Sequence, residues 1–162
     1  MALQVSGTTV IDDSRNIRNV GIVTANEIRF SNVAEKLVRT NGNTVSLTYN
    51  SGGSNIGFAT NPTGDISVAV TGVPTDSSFD NHILNFSVVV NNTGTARSCT
   101  SLTLNGVSRT IKWAGGSLSN AITGVTTSNG YDIYSFTAIS ATGSASTASN
   151  YDVLGVVNGG YR

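Results

Sequence analysis

Histidine, tryptophan, methionine and cysteine each occur once in this chain, and proline occurs twice. Each scarcity closes a class of function. The one cysteine, Cys99, has no partner within the chain for a disulfide, and no Cys/His spacing suits zinc. Its setting, Ala96-Arg97-Ser98-Cys99-Thr100-Ser101-Leu102, reads as a small buried apolar residue beside a strand, because Arg97 alone is weak support for a reactive thiolate. The one histidine, His82, would have to anchor any Ser–His–Asp triad, and no Gly-x-Ser-x-Gly elbow accompanies it, so a loop or strand-edge role is expected. Charge is scarce as well: Asp, Glu, Lys and Arg make up 11% of the chain, against roughly 25% in typical soluble proteins. Nine basic and nine acidic side chains cancel. With no cluster of Lys or Arg to neutralise phosphates, nucleic acid is not an expected partner. No run approaches the roughly 18 to 20 apolar residues that span a bilayer, and the N-terminus lacks the basic and apolar regions of a secretory signal. Neither a membrane partner nor export is expected, and synthesis in a cytoplasm is.

What is abundant is Ser, Thr, Asn and Gly, which together make nearly half of the chain, alongside 38% apolar residues. Enough Val, Ile and Leu remain to build a core. They recur at alternate positions: Ile66, Val68 and Val70; Leu84, Phe86, Val88 and Val90; Val107, Ile111 and Trp113; Tyr131, Ile133 and Ile139. Period two is the signature of strands. Turn signals separate these runs, among them Asn61-Pro62-Thr63-Gly64-Asp65, Asn91-Asn92-Thr93-Gly94, Asn105-Gly106 and Ser128-Asn129-Gly130. Short strands between tight turns, with no helical segment among them, predict an all-β fold, an antiparallel β-sandwich. The expected division places this sandwich over 61–162. Residues 1–60 form an extended N-terminal segment in which Asn41-Gly42 joins Glu35–Thr40 to Thr44–Tyr49 as a β-hairpin. Residues 24–38 carry a pattern that fits strand or helix, and extended chain is the preferred reading.

The carboxylates do not assemble into a catalytic pair. Asp12 and Asp13 are adjacent and, on extended chain, point to opposite faces, so they cannot straddle one glycosidic bond. Asp65, Asp76, Asp80, Asp132 and Asp152 stand beside turns or strand starts, where Asp bonds local amides; a loop calcium site is the one metal reading they leave open. Neither a catalytic residue nor a cofactor is expected, and the chain reads as a non-enzyme. Trp113 continues the alternation of Val107, Arg109 and Ile111 and is expected to pack. The aromatics that could face a receptor are Tyr131 and Tyr134. Residues 1–40 carry a concentration of charge and apolar positions without a core of their own. Val20, Ile22, Ile28 and Phe30 are therefore expected to form an oligomer or docking interface, with a homotrimer supplying the missing surface.

Several strings resemble a module that recurs in structural and tail-fibre proteins of tailed phages infecting marine cyanobacteria. They are Gly7-Thr8-Thr9-Val10-Ile11-Asp12-Asp13-Ser14-Arg15-Asn16, Thr110-Ile111-Lys112-Trp113-Ala114-Gly115-Gly116, Tyr131-Asp132-Ile133-Tyr134-Ser135-Phe136 and Leu154-Gly155-Val156-Val157-Asn158-Gly159-Gly160-Tyr161. The Lys-Trp-x-Gly-Gly string is the most specific. The resemblance implies a trimeric virion protein without catalytic residues, docked to capsid or tail proteins by its N-terminal segment. A host-surface glycan would be a further partner of a fibre. A head decoration protein that stabilises the capsid is the competing version, and a free carbohydrate-binding module is a more distant one.

Overall fold

The computed structural model describes residues 3–5, 8–11, 36–49, 55–76, 83–124, 126–140 and 147–162. The chain divides into two compact units, Met1–Val33 and Ala34–Arg162. In the first, β1 (Leu3–Val5) and β2 (Thr8–Ile11) pair antiparallel. The second is all-β, with two sheets packed face to face. It includes residues 37–49 and 55–60, which the sequence reading assigned to the N-terminal segment, because Val45, Leu47 and Ala59 supply part of the core between the sheets. Val20, Ile22, Ile28 and Phe30, the bulk of the ambiguous stretch 24–38, and Asp12, Asp13, Asp80 and His82 lie outside the described residues.

Three strand–turn–strand units build the first half of the sandwich. They are β3 (Leu37–Asn41) with β4 (Thr44–Thr48), β5 (Ile56–Thr60) with β6 (Ile66–Thr71), and β7 (Ile83–Thr93) with β8 (Cys99–Leu104). In each unit the turn crosses from one sheet to the other, making an arch. The arches stack: β3, β5 and β7 are parallel neighbours in one sheet, and β4, β6 and β8 are parallel neighbours in the other. The expected hairpin at Asn41-Gly42 is therefore corrected, and so is the expectation of purely antiparallel pairing. A two-residue hairpin turn of the favoured type needs positive φ at both central residues. Gly42 has φ 143° and Asn41 is not among the positive-φ residues, whereas Asn105 (47°) and Gly106 (81°) meet the requirement. That second Asn-Gly does close a hairpin, setting Leu104 opposite Val107 between β8 and β9 (Val107–Arg109). A hairpin of β3 and β4 would also have left Val45 and Leu47 on an open two-stranded ribbon. In the arch they are buried, at about 1.5–3 kcal/mol per large aliphatic side chain.

Corner side chains bind one arch to the next. The Asn43 Oδ1 accepts from the amides of Thr63 (2.9 Å) and Gly64 (3.1 Å), and Asp65 Oδ1 accepts from the Ser98 amide (3.1 Å). The turns need such acceptors, since their N–H groups have no strand partner. The remaining strands complete the larger sheet: β10 (Ile111–Trp113), β11 (Asn129–Ser140) and β12 (Tyr151–Tyr161). Its order is β10-β12-β11-β7-β5-β3, and that of the smaller sheet is β4-β6-β8-β9. The pairs β7–β11 and β11–β12 are antiparallel, as read from the sequence. A five-residue helix, α1 (Leu118–Ile122), is capped by the Ser117 hydroxyl, which accepts from the Asn120 amide.

Inward positions follow the alternation. Leu84, Phe86, Val88 and Val90 of β7 meet Tyr134, Phe136 and Ala138 of β11, Val153 of β12, and Val68, Val70, Leu102 and Leu104 of the smaller sheet. Gly57 of β5 packs directly against β4, because a β-carbon there would lie 2.3 Å from Val45 Cγ1. Gly57→Ala is expected to lower stability by about 1–3 kcal/mol, the usual cost of overpacking, read as an earlier urea midpoint; an unchanged midpoint would mean that the first two arches are looser than described.

Candidate functional site

The larger sheet has one face in the core and one facing outward, and its register composes the outer face in rows. One row runs Arg39, Phe58, Val89, Ile133, Asn158; the next runs Leu37, Ile56, Ser87, Ser135, Val156; a third holds Asn85, Thr137, Leu154 and Lys112. Several members are large and exposed: Ile83 at 53%, Val156 at 49%, Leu154 and Tyr131 at 43%. Among the described residues, β5, β7 and β11 place no charged side chain on this face. Charge stands, among the described residues, at its flanks. The Arg39 guanidinium lies 4.7 Å over the Phe58 ring, and Lys112 Nζ pairs with Asp152 at 2.7 Å, an exposed contact of small energetic weight. Across the middle strands, β7 and β11, part of this face is small and polar. Ser87 and Ser135 hydroxyls meet at 3.3 Å, and Thr137 donates to Asn85 Oδ1 at 2.9 Å. Beside Ser135 and Thr137 a groove of about 430 Å³ opens toward β10, walled by Leu154, Val156, Lys112 and Trp113.

Of the two tyrosines proposed to face a receptor, Tyr131 does project from this face, tilted against Phe58 with ring centroids 6.1 Å apart. Tyr134 does not. It shares the inward set of β11 with Phe136 and Ala138 and is fully buried, its hydroxyl donating to the Arg97 carbonyl at 3.3 Å. Burial pushes its phenol pKa far up. Tyr131 and Tyr134 are three residues apart, so a strand sends them to opposite faces.

Trp113 lies on the inner side of β10. Its ring meets Tyr134 edge-on at 6.2 Å and Phe136 at 5.9 Å, over Gly155, where a β-carbon would come within 2.7 Å of the indole. It is half-buried, and its exposed edge joins Ser101, Ser108, Arg109 and Thr110 around a polar pocket of about 340 Å³. Arg109 spans the open edge of the sandwich there and donates from Nη2 to the Tyr151 carbonyl. The sequence held a signal for that role: Arg109 occupies an inward step in the Val107–Trp113 alternation, where a cation must find a partner.

The polar feature that sequence reasoning missed is a buried cluster under the β7–β8 corner. Asp132 is fully buried, and its carboxylate accepts from Asn92 Nδ2 (2.8 Å), the Thr127 amide (3.1 Å) and the Gly160 amide (3.0 Å). Asn92 in turn donates to the Thr127 carbonyl and accepts from the Arg97 amide. Every contact joins a strand or loop of the sandwich, so the cluster is a structural clasp. Cys99 is buried as expected, and burial drives its thiol pKa far up, away from nucleophilic chemistry. Among the described residues, no three of His, Cys, Asp and Glu converge as metal ligands, and no helix is long and apolar enough to cross a membrane. Comparison with protein-family models, with curated proteins and with solved structures gives no match.

Proposed function

We propose that this chain is a non-enzymatic structural protein of a virus particle. It would act as an oligomeric fibre or surface-decoration subunit, docked through its N-terminal region and displaying the sandwich outward. The observation that carries this reading is the outer face of the larger sheet, which is aliphatic, hydroxylated and uncharged at its centre. Such a face suits packing against protein, where charged groups would have to be desolvated. The stacked arches suit the same role: the turns of the second and third arches are each bound by a corner side chain of the arch before, so that the contact repeats from one unit to the next. The Lys-Trp-x-Gly-Gly resemblance supplies the viral setting. Antibodies raised against the sandwich and imaged on intact particles of the encoding virus are expected to decorate the surface. Unlabelled particles, together with absence of the chain from purified virions by mass spectrometry, would refute the proposal.

The attachment version draws on the polar pocket at the β9–β10 edge, where hydroxyls, Arg109 and an indole edge offer the donors and the flat apolar surface that saccharides use. Purified protein added to host cells before infection slows particle adsorption in that version. In the decoration version adsorption is unchanged, and particles lacking the protein fail sooner on heating.

A further inference from the structure

We infer that the outer face of the six-stranded sheet is the contact between copies of this chain. The inference deepens the reading of the chain as an assembly subunit and names its partner as a second copy of itself. Three observations point to that occupant. The first is extent. The strand residues of the sheet, each occupying about 4.8 by 3.3 Å, cover roughly 750 Å², close to the roughly 800 Å² per partner of a standard protein interface. The second is charge. Arg39 stands at one flank and Lys112 with Asp152 at the other, and the described residues of β5, β7 and β11 leave the centre neutral. Two identical faces meet there without opposing like charges, and a strongly charged partner would find nothing to pair with. The third is relief. Ser135 and Thr137 form a low floor beside the exposed Leu154 and Val156, in a groove that Lys112 and Trp113 close on the β10 side. Aliphatic ridges of one copy fit such a furrow in another. A saccharide is the poorer fit, since the outward aromatics, Phe58, Tyr131 and Tyr161, stand at one end of the face, with the Phe58 and Tyr131 rings tilted against each other at 37°.

The test is the mass of the purified full chain by light scattering at micromolar concentration. The parent is expected at a multiple of 16.7 kDa. Leu154→Lys with Val156→Lys places two charges on exposed positions of the face and is expected to bring the mass to that of one chain, with strand circular dichroism retained. Tyr131→Lys, at the other end of the face, repeats the test should the double variant fail to fold. Thr44→Lys with Ser46→Lys, on the outer side of the smaller sheet, is expected to leave the oligomer intact. A monomeric parent overturns the inference, as does a folded face variant that keeps the parent's mass, which would put the contact in another part of the chain or another partner on this face. Particle labelling decides the virion reading separately, because the mass of purified protein does not depend on where the protein sits in a virus.

Discussion

Asp132→Ala is expected to cost about 3–5 kcal/mol, because two buried N–H donors and a third, part-buried one lose their acceptor at once, and buried unsatisfied groups cost about 1–3 kcal/mol each. The donors come from separate parts of the chain: Asn92 at the end of β7, Thr127 in the loop before β11, and Gly160 near the end of β12. The carboxylate is therefore a junction between two strands and a loop. Against a total stability of about 5–15 kcal/mol, such a loss leaves a marginal domain. Asp132→Asn is the sharper variant. Its shape is conserved, but one carboxylate oxygen becomes an NH₂ among groups that all donate, so it is expected to recover little and to remain about 2 kcal/mol below the parent. Urea unfolding with an unchanged slope measures both. If Asp132→Asn unfolds at the parental midpoint, the carboxylate is not needed as an acceptor of several bonds.

Trp113→Ala is expected to cost about 3 kcal/mol, the lower end of the range for truncating large aromatics in cores, because the indole is half-buried. The indole is the main anchor of β10, a three-residue edge strand paired to β12 through Ile111–Trp113 alone. It lies edge-on to both Tyr134 and Phe136, contacts that add to the area it buries. Gly155 exists as glycine to admit the ring, since any larger residue would meet it. As the sole tryptophan, Trp113 reports on its own site, and the parent's emission should shift to the red on unfolding in step with the loss of strand signal. A Trp113→Ala protein with parental stability and lost glycan binding would replace the packing role with a binding platform.

Much of the sandwich was legible in the alternation. Val88 and Val90, Val68 and Val70, and the Ile111–Trp113 pair all face the core on the period that placed them there. Several turns were located correctly, but residues 91–93 and Asn129-Gly130 continue strands β7 and β11 and pair with each other, and the Asn41-Gly42 turn was misjudged in kind. Asn41-Gly42 and Asn105-Gly106 are the same dipeptide, yet one crosses between sheets and the other closes a hairpin. Local turn chemistry is identical; what differs is whether the next segment offers each strand a parallel partner. β5 and β6 do so for β3 and β4, and that information lies outside the turn. The tyrosines show the same limit. Both were read as receptor-facing, although one strand sends them to opposite faces, and which set faces the core was decided only by the neighbours β7 and β12.

Composition and periodicity by themselves determined an all-β chain, because strand-forming residues at alternate positions can bury one face only as a sheet. They also determined a surface of hydroxyls and amides, because so few charged residues exist to cover it. Tertiary structure decided the rest: that arches stack in parallel, that Asp132 closes a buried clasp, that Tyr134 is core, and that the outer face of the larger sheet gathers Ile133, Leu154 and Val156 from two strands into one apolar surface. The physical reason is range. A side chain's alternation is set by its own strand, whereas its partners are set by which distant strand hydrogen-bonds beside it, and that choice is made by burial summed over the whole sandwich.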